Sequence, residues 1–158
     1  MQILHVAAGA TGGDGSVGSP FGTIEAAAAV ATPGTAIRLG PGVHASDQFV
    51  SMLRGTAAAP IWIGGEPGQD RPILSGGGQA LQLARPAYVV VHDLEIRNTT
   101  QNGINCDDGG DTANPDASRF VVFRKLNIHD VSGLTRFAIS ARIIARLGSF
   151  WPKKFASR

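Results

Sequence analysis

The chain has 158 residues, a formal net charge of +2 and one cysteine, which excludes a disulfide framework. No run of eighteen apolar residues occurs, so no transmembrane helix is predicted. Its 21 glycines and 9 prolines follow no Gly-x-y period, a composition of short strands and tight turns in one domain rather than collagen or a linker.

One helix is predicted near the start, in SPFGTIEAAAAVATPG (residues 19–34). Ser19 is placed as N-cap, Pro20 at the first helical position and Glu25 early in the helix, with Pro33-Gly34 as the stop. Ile24, Ala27, Ala28 and Ala31 then share a face that covers the open end of a stacked structure, which would otherwise expose apolar core and strand edges. Candidate strands follow in TAIRL (35–39), PIWIGG (60–65), RPILSG (71–76) and ALQL (80–83), each bounded by Gly or Pro.

Residues 87–98, AYVVVHDLEIRN, and 119–130, RFVVFRKLNIHD, repeat one pattern at a constant offset of 32. Tyr88 aligns with Phe120, Val89 with Val121, Val91 with Phe123, Leu94 with Leu126 and Ile96 with Ile128. In each copy a polar pair, His92-Asp93 or Arg124-Lys125, interrupts the apolar run, and Leu-x-Ile then alternates like a half-buried strand. The chain is expected to turn at that pair. A third strand follows in GINCD, with Ile104 and Cys106 on one face and Asn105 and Asp107 on the other, which makes Cys106 a small core residue rather than a nucleophile. Without the eleven residues from Asp107 to Ala117 the repeat shortens to 21, within the ~20 to 45 of stacked repeats. That stretch, DDGGDTANPDA, reads as an insertion at a corner. The fold class is therefore all-β, a parallel β-solenoid with a capping helix.

The segments HVAAGATGGDGSVGSPFGTIEAAAAVATPGTAIRLGPGVH, GTAAAPIWIGGEPGQDRPILSGGG, YVVVHDLEIRN and GINCDDGG resemble the opening coils of right-handed parallel β-helix proteins of the pectate lyase type. The resemblance covers most of residues 3–133 and implies a secreted or cell-surface protein, although Met1 stands too close to the first such residues to leave room for a signal peptide. The scaffold hosts lyases, epimerases, hydrolases, adhesins and phage proteins, so fold and function are separate inferences. A chain of this length holds only a few coils, short of the number usual in such lyases.

In the acidic insertion, hard oxygen ligands crowd a glycine-hinged loop, which suits Ca²⁺; the same composition also describes a solvated turn. The spacing is not that of an EF-hand. The resemblance sharpens the metal reading, because family-nine pectate lyases bind a catalytic calcium through a D-D-x-x-D cluster that Asp107, Asp108 and Asp111 match. It implies an acidic polysaccharide substrate. A calcium-bound uronate carboxylate would acidify the C5 proton, a Lys or Arg base would remove it, and the glycosidic oxygen would leave by β-elimination. No counterpart of that base is found. Arg97 and His129 fall on the outward face of stacked strands beside Glu95 and Asn127, as sugar contacts or as a solvated ladder; Lys125 reads as a surface residue at a bend, and His5, His44 and His92 have no partners at ligand spacing. Two functions follow: the N-terminal part of a calcium-dependent polyuronate lyase, inactive alone, or a noncatalytic β-helix module that binds carbohydrate or builds a surface structure.

Residues 1–133 hold 8 Lys and Arg against 12 Asp and Glu, net −4, whereas residues 134–158 hold 6 basic residues and no acid. The repeat is lost at the same point, so the chain divides into cap and coils (1–133) and an atypical basic tail (134–158). Three readings of the tail stay open: a cap helix with a stripe of Phe137, Ile143, Ile144, Leu147, Phe150 and Trp151, a membrane-surface segment, or read-through from a shifted frame. FAIS is left open as one last strand beside these readings. Nucleic-acid binding has no supporting motif, and an open last coil would favour self-association through unpaired edges.

Overall fold

The computed structural model describes residues 1–133 and 135–139. The chain enters through β1 (Ile3–Val6) and α1 (Ile24–Val30) and then winds through four coils of three strands. The first coil holds β2 (Ala36–Leu39), β3 (Val43–Ala45) and β4 (Gln48–Ser51); the second holds β5 (Ile61–Gly65), β6 (Ile73–Ser75) and β7 (Gln79–Ala84). The third holds β8 (Ala87–His92), β9 (Glu95–Arg97) and β10 (Asn102–Asp107), and the fourth β11 (Arg119–Arg124), β12 (Asn127–His129) and β13 (Thr135–Ile139). Each strand pairs in parallel with its equivalents above and below, which gives three sheets in the orders β1-β2-β5-β8-β11, β3-β6-β9-β12 and β4-β7-β10-β13. This is the expected parallel β-helix. Residues 135–139 of the tail form β13, the strand left open for FAIS; Leu134 and residues 140–158, with the rest of the predicted helical stripe, lie outside the described residues.

The register is the self-alignment of the sequence. Val89 stands on Val121, Val91 on Phe123, Ile96 on Ile128 and Arg97 on His129, all 32 apart. The corner at the polar pair is real, since Asp93 and Lys125 both take left-handed backbone (φ 51 for each) and the Lys125 ammonium lies 3.9 Å from the Asp93 carboxylate. Tyr88 and Phe120 share a second left-handed position, at φ 53, and their rings stack 4.5 Å apart. Large side chains are unfavourable there, and the ring stack offsets part of that cost.

Inward residues form apolar columns along the axis. Ile37, Ile63 and Val91 make one, continued by Phe123; Leu74 and Ile96 make another; Val50, Leu83 and Cys106 make a third. Cys106 is thus a core residue, and burial with the neighbouring Asp107 charge pushes its thiol up to about 12, which keeps it protonated and unreactive at neutral pH.

The helix cap lies four residues later than predicted. Phe21 is held against β1, with its N–H donating to the His5 carbonyl and its carbonyl accepting from Ala7 N–H, both at 2.9 Å, so Pro20 cannot open a helix. Thr23 is the N-cap instead, its Oγ1 accepting from Ala26 N–H at 3.1 Å. The Gln48 side-chain oxygen accepts from Ile24 N–H at 3.0 Å, and Glu25 in return accepts from Phe49 N–H, so β4 and the helix cap each other. Ile24 and Ala27 are buried, and Ala28 and Ala31 pack against the core as expected. Thr23→Ala should lower stability by about 1 kcal/mol, measured by urea unfolding, and Thr23→Ser should restore it.

Candidate functional site

The outer face of the third sheet carries the densest set of planar polar groups. Strands β7 and β10 send leucines, Ile104 and Cys106 inward, so Gln82 and Asn105 point outward in one register with Phe49 of β4. Gln79 and Asn102 form the adjacent register, and Asp107 ends the sheet. The Gln79 amide donates to Gln82 Oε1 at 2.6 Å; the amides of Gln82 and Asn105 donate to Asp107 Oδ2 at 3.1 and 3.0 Å. Among the described residues, the Asn102 carboxamide and Asn105 Oδ1 have no partner, and Phe49, beside Gln82 on the next strand, is 51% exposed.

The acidic insertion leaves the same strand end. Asp107 Oδ1 accepts from Gly109 N–H at 2.8 Å and Asp108 Oδ1 from Gly110 N–H at 3.0 Å, while the Asp111 carboxylate accepts from the Asn114 amide at 3.4 Å. Gly109 and Gly110 have φ of 61 and 82, the hinge that lets each aspartate close its own turn. Arginines bind the loop through its backbone, Arg85 through the Asp108 carbonyl and Arg54 through the Ala117 carbonyl. Asp107 is thus shared between its own turn and the amides of the sheet, Asp108 and Asp111 hold local partners, and among the described residues no three His, Cys, Asp or Glu side chains gather closely enough to hold a metal. Asp107, Asp108 and Asp111 do not form such a group here, and no chemistry is derived through a metal.

The two sugar contacts expected from sequence lie elsewhere. Arg97 and His129 are neighbours on the second sheet, and both reach Glu95 Oε1, at 3.1 and 3.3 Å. The other His129 ring nitrogen lies 2.7 Å from Asp130 Oδ2. Bonds to Asp130 and then Glu95 favour the imidazolium and raise the His129 pKa. The four groups form a charge network on the outer face of this sheet. The network lies on the second sheet and Asp107 at the far end of β10 on the third, so the structure does not bring the two predicted groups together.

The amide ladder itself was missed as a site. Its signal was the alternation of Gln and Asn with Leu, Ile and Cys in QALQLA and NGINCD, which reads first as ordinary half-buried strand.

No family model and no curated protein sequence matches the chain. Among solved structures it is similar to the GH136 lacto-N-biosidase from Eubacterium ramulus, as the selenomethionine derivative (TM-score 0.63, 19% identity, covering 84% of this chain and 27% of that one). The native form of that protein gives a TM-score of 0.62 at 19% identity, over 84% of this chain and 28% of the other. The chain thus spans little more than a quarter of the length of these structures. The likeness is one of fold. It supports the parallel β-helix.

Proposed function

We propose that this chain is a glycan-binding β-helix unit of a carbohydrate-active protein, with the glycan lying across the third sheet. The observation that carries the reading is the ladder from Gln79 to Asp107 beside Phe49. Planar amides and a carboxylate offer paired donors and acceptors that suit vicinal hydroxyls, and an exposed aromatic ring suits the apolar face of a pyranose. The ladder is already ordered by its own hydrogen bonds, so binding costs little side-chain entropy. The scaffold likeness to a carbohydrate-active enzyme supports the same reading.

Calorimetric titration with a panel of neutral and uronic oligosaccharides tests it. The Gln82→Ala/Asn105→Ala double variant is expected to bind its best glycan on the order of tenfold more weakly while melting as the parent does; unchanged affinity would sink the reading. The D-D-x-x-D spacing next to Asp107 favours a second reading, the calcium-dependent polyuronate lyase. Repeating the titrations and melts in Ca²⁺ and in chelator separates the two. Binding that persists in chelator supports the binding unit; a Ca²⁺-specific rise in Tm that is lost in Asp108→Ala supports the lyase.

A further inference from the structure

The outer face of the first sheet has a different character from the amide ladder. Ile3, Ala36, Trp62, Val90 and Val122 stack in one outward register, and His5, Arg38, Gly64, His92 and Arg124 in the next. Along the second register the charges mostly cancel. Glu66 meets Arg38 at 3.0 Å and His5 at 3.4 Å, and Asp93 meets His92 at 2.8 Å and Lys125 at 3.9 Å. Arg124 is the exception, having no acidic partner among the described residues. Its guanidinium lies 5.0 Å from the centre of the Trp62 ring, and the His92 ring meets the same indole edge-on at 5.7 Å.

A guanidinium held over an indole and without an acidic partner keeps N–H donors that match a carboxylate. Beside Trp62 opens a cavity of about 220 Å³ lined by Ala36, Arg38, Trp62, Pro67 and His92, a space on the scale of one sugar ring. Apolar Val90 and the 41% exposed Val122 continue from it along the axis. An unpaired cation on a half-buried indole, in a segment whose net charge is −4, is a local inversion of the surface potential. We infer that this face is a second saccharide site, specific for a carboxylate-bearing sugar, with Trp62 and its cavity taking the ring and Arg124 the carboxylate. The inference goes beyond the glycan surface proposed above, because it concerns another sheet and an anionic group.

Trp62 emission is the readout, in the full chain carrying Trp151→Phe so that one indole reports. Trigalacturonate is expected to change the emission saturably, with affinity falling as salt rises, and Arg124→Gln should weaken it by about tenfold, with Arg124→Lys intermediate. The Gln82→Ala/Asn105→Ala double variant should bind trigalacturonate at this site as the parent does, which separates this inference from the amide-ladder reading. No emission change at millimolar trigalacturonate, equal affinity in Arg124→Gln, an equal response to a neutral galactose trisaccharide, or an equal response to sodium acetate alone would each overturn it.

Discussion

Ile63→Ala is expected to lower the stability of the folded chain by about 2–5 kcal/mol, which in a chain of this size moves Tm by roughly 10 °C. Ile63 is fully buried and stands between Ile37 and Val91 in the central apolar column. Truncation removes packing against both neighbours, and the coils cannot collapse into the gap because hydrogen-bonded strands hold them at about 4.8 Å. In a stacked repeat, stability is carried by nearest-neighbour interfaces, so a defect in the second coil weakens its contacts with the coils on both sides. Ile63→Val should cost only about 0.5–1.5 kcal/mol. A thermal melt of the two variants beside the parent checks the ordering; equal melting of Ile63→Ala and parent would show that this column is not the core.

Gly64→Ala is the second large effect expected, with opposite physics. A Cβ at Gly64 would fall inside contact distance of the His92 carbonyl oxygen and 2.6 Å from two atoms of the His92 ring. Gly64 and His92 are partners in the β5–β8 register, so the clash falls on a backbone rung that cannot rotate away. Overpacking of this kind costs about 1–3 kcal/mol and occasionally more. The substitution should also push His92 off Trp62, so Trp62 emission should change together with Tm. Adding His92→Ala relieves the ring contact but not the carbonyl contact, and is expected to restore stability only in part. Full recovery would place the whole penalty on the imidazole.

The sequence announced the spine of this structure through residues whose environment is set by stacking. Val89, Val91 and Ile96 recur 32 positions later because the same core columns demand apolar groups, and the bend at Asp93 and Lys125 left a polar pair in each copy. Strands β1, β3 and β4 were not legible. They have three or four residues each, too few to show a period, and their neighbours in the sheets fix them. The cap of α1 was misplaced because Ser19-Pro20 carries a strong local helix signal that the pairing of Phe21 with β1 overrides. Asp107, Asp108 and Asp111 were conspicuous by type, yet their direction is set by the fold: Gly109 and Gly110 let Asp107 and Asp108 each accept a backbone N–H of its own turn, while Asp107 also reaches the amides of Gln82 and Asn105. The amides of Gln82 and Asn105 were inconspicuous by type and become a group only when two coils are laid one on the other.

The loop between β10 and β11 spans residues 108–118, yet the strands on either side keep their places in the stack. Arg85 Nε and Arg54 Nη2 hold it by backbone carbonyls, whose position does not depend on which side chain follows. The loop is therefore an interchangeable part. A different sequence, shorter or longer, between Asp107 and Arg119 is expected to leave the winding of the spine unaltered as long as the two carbonyl anchors and the buried Ala117 and Ser118 are kept.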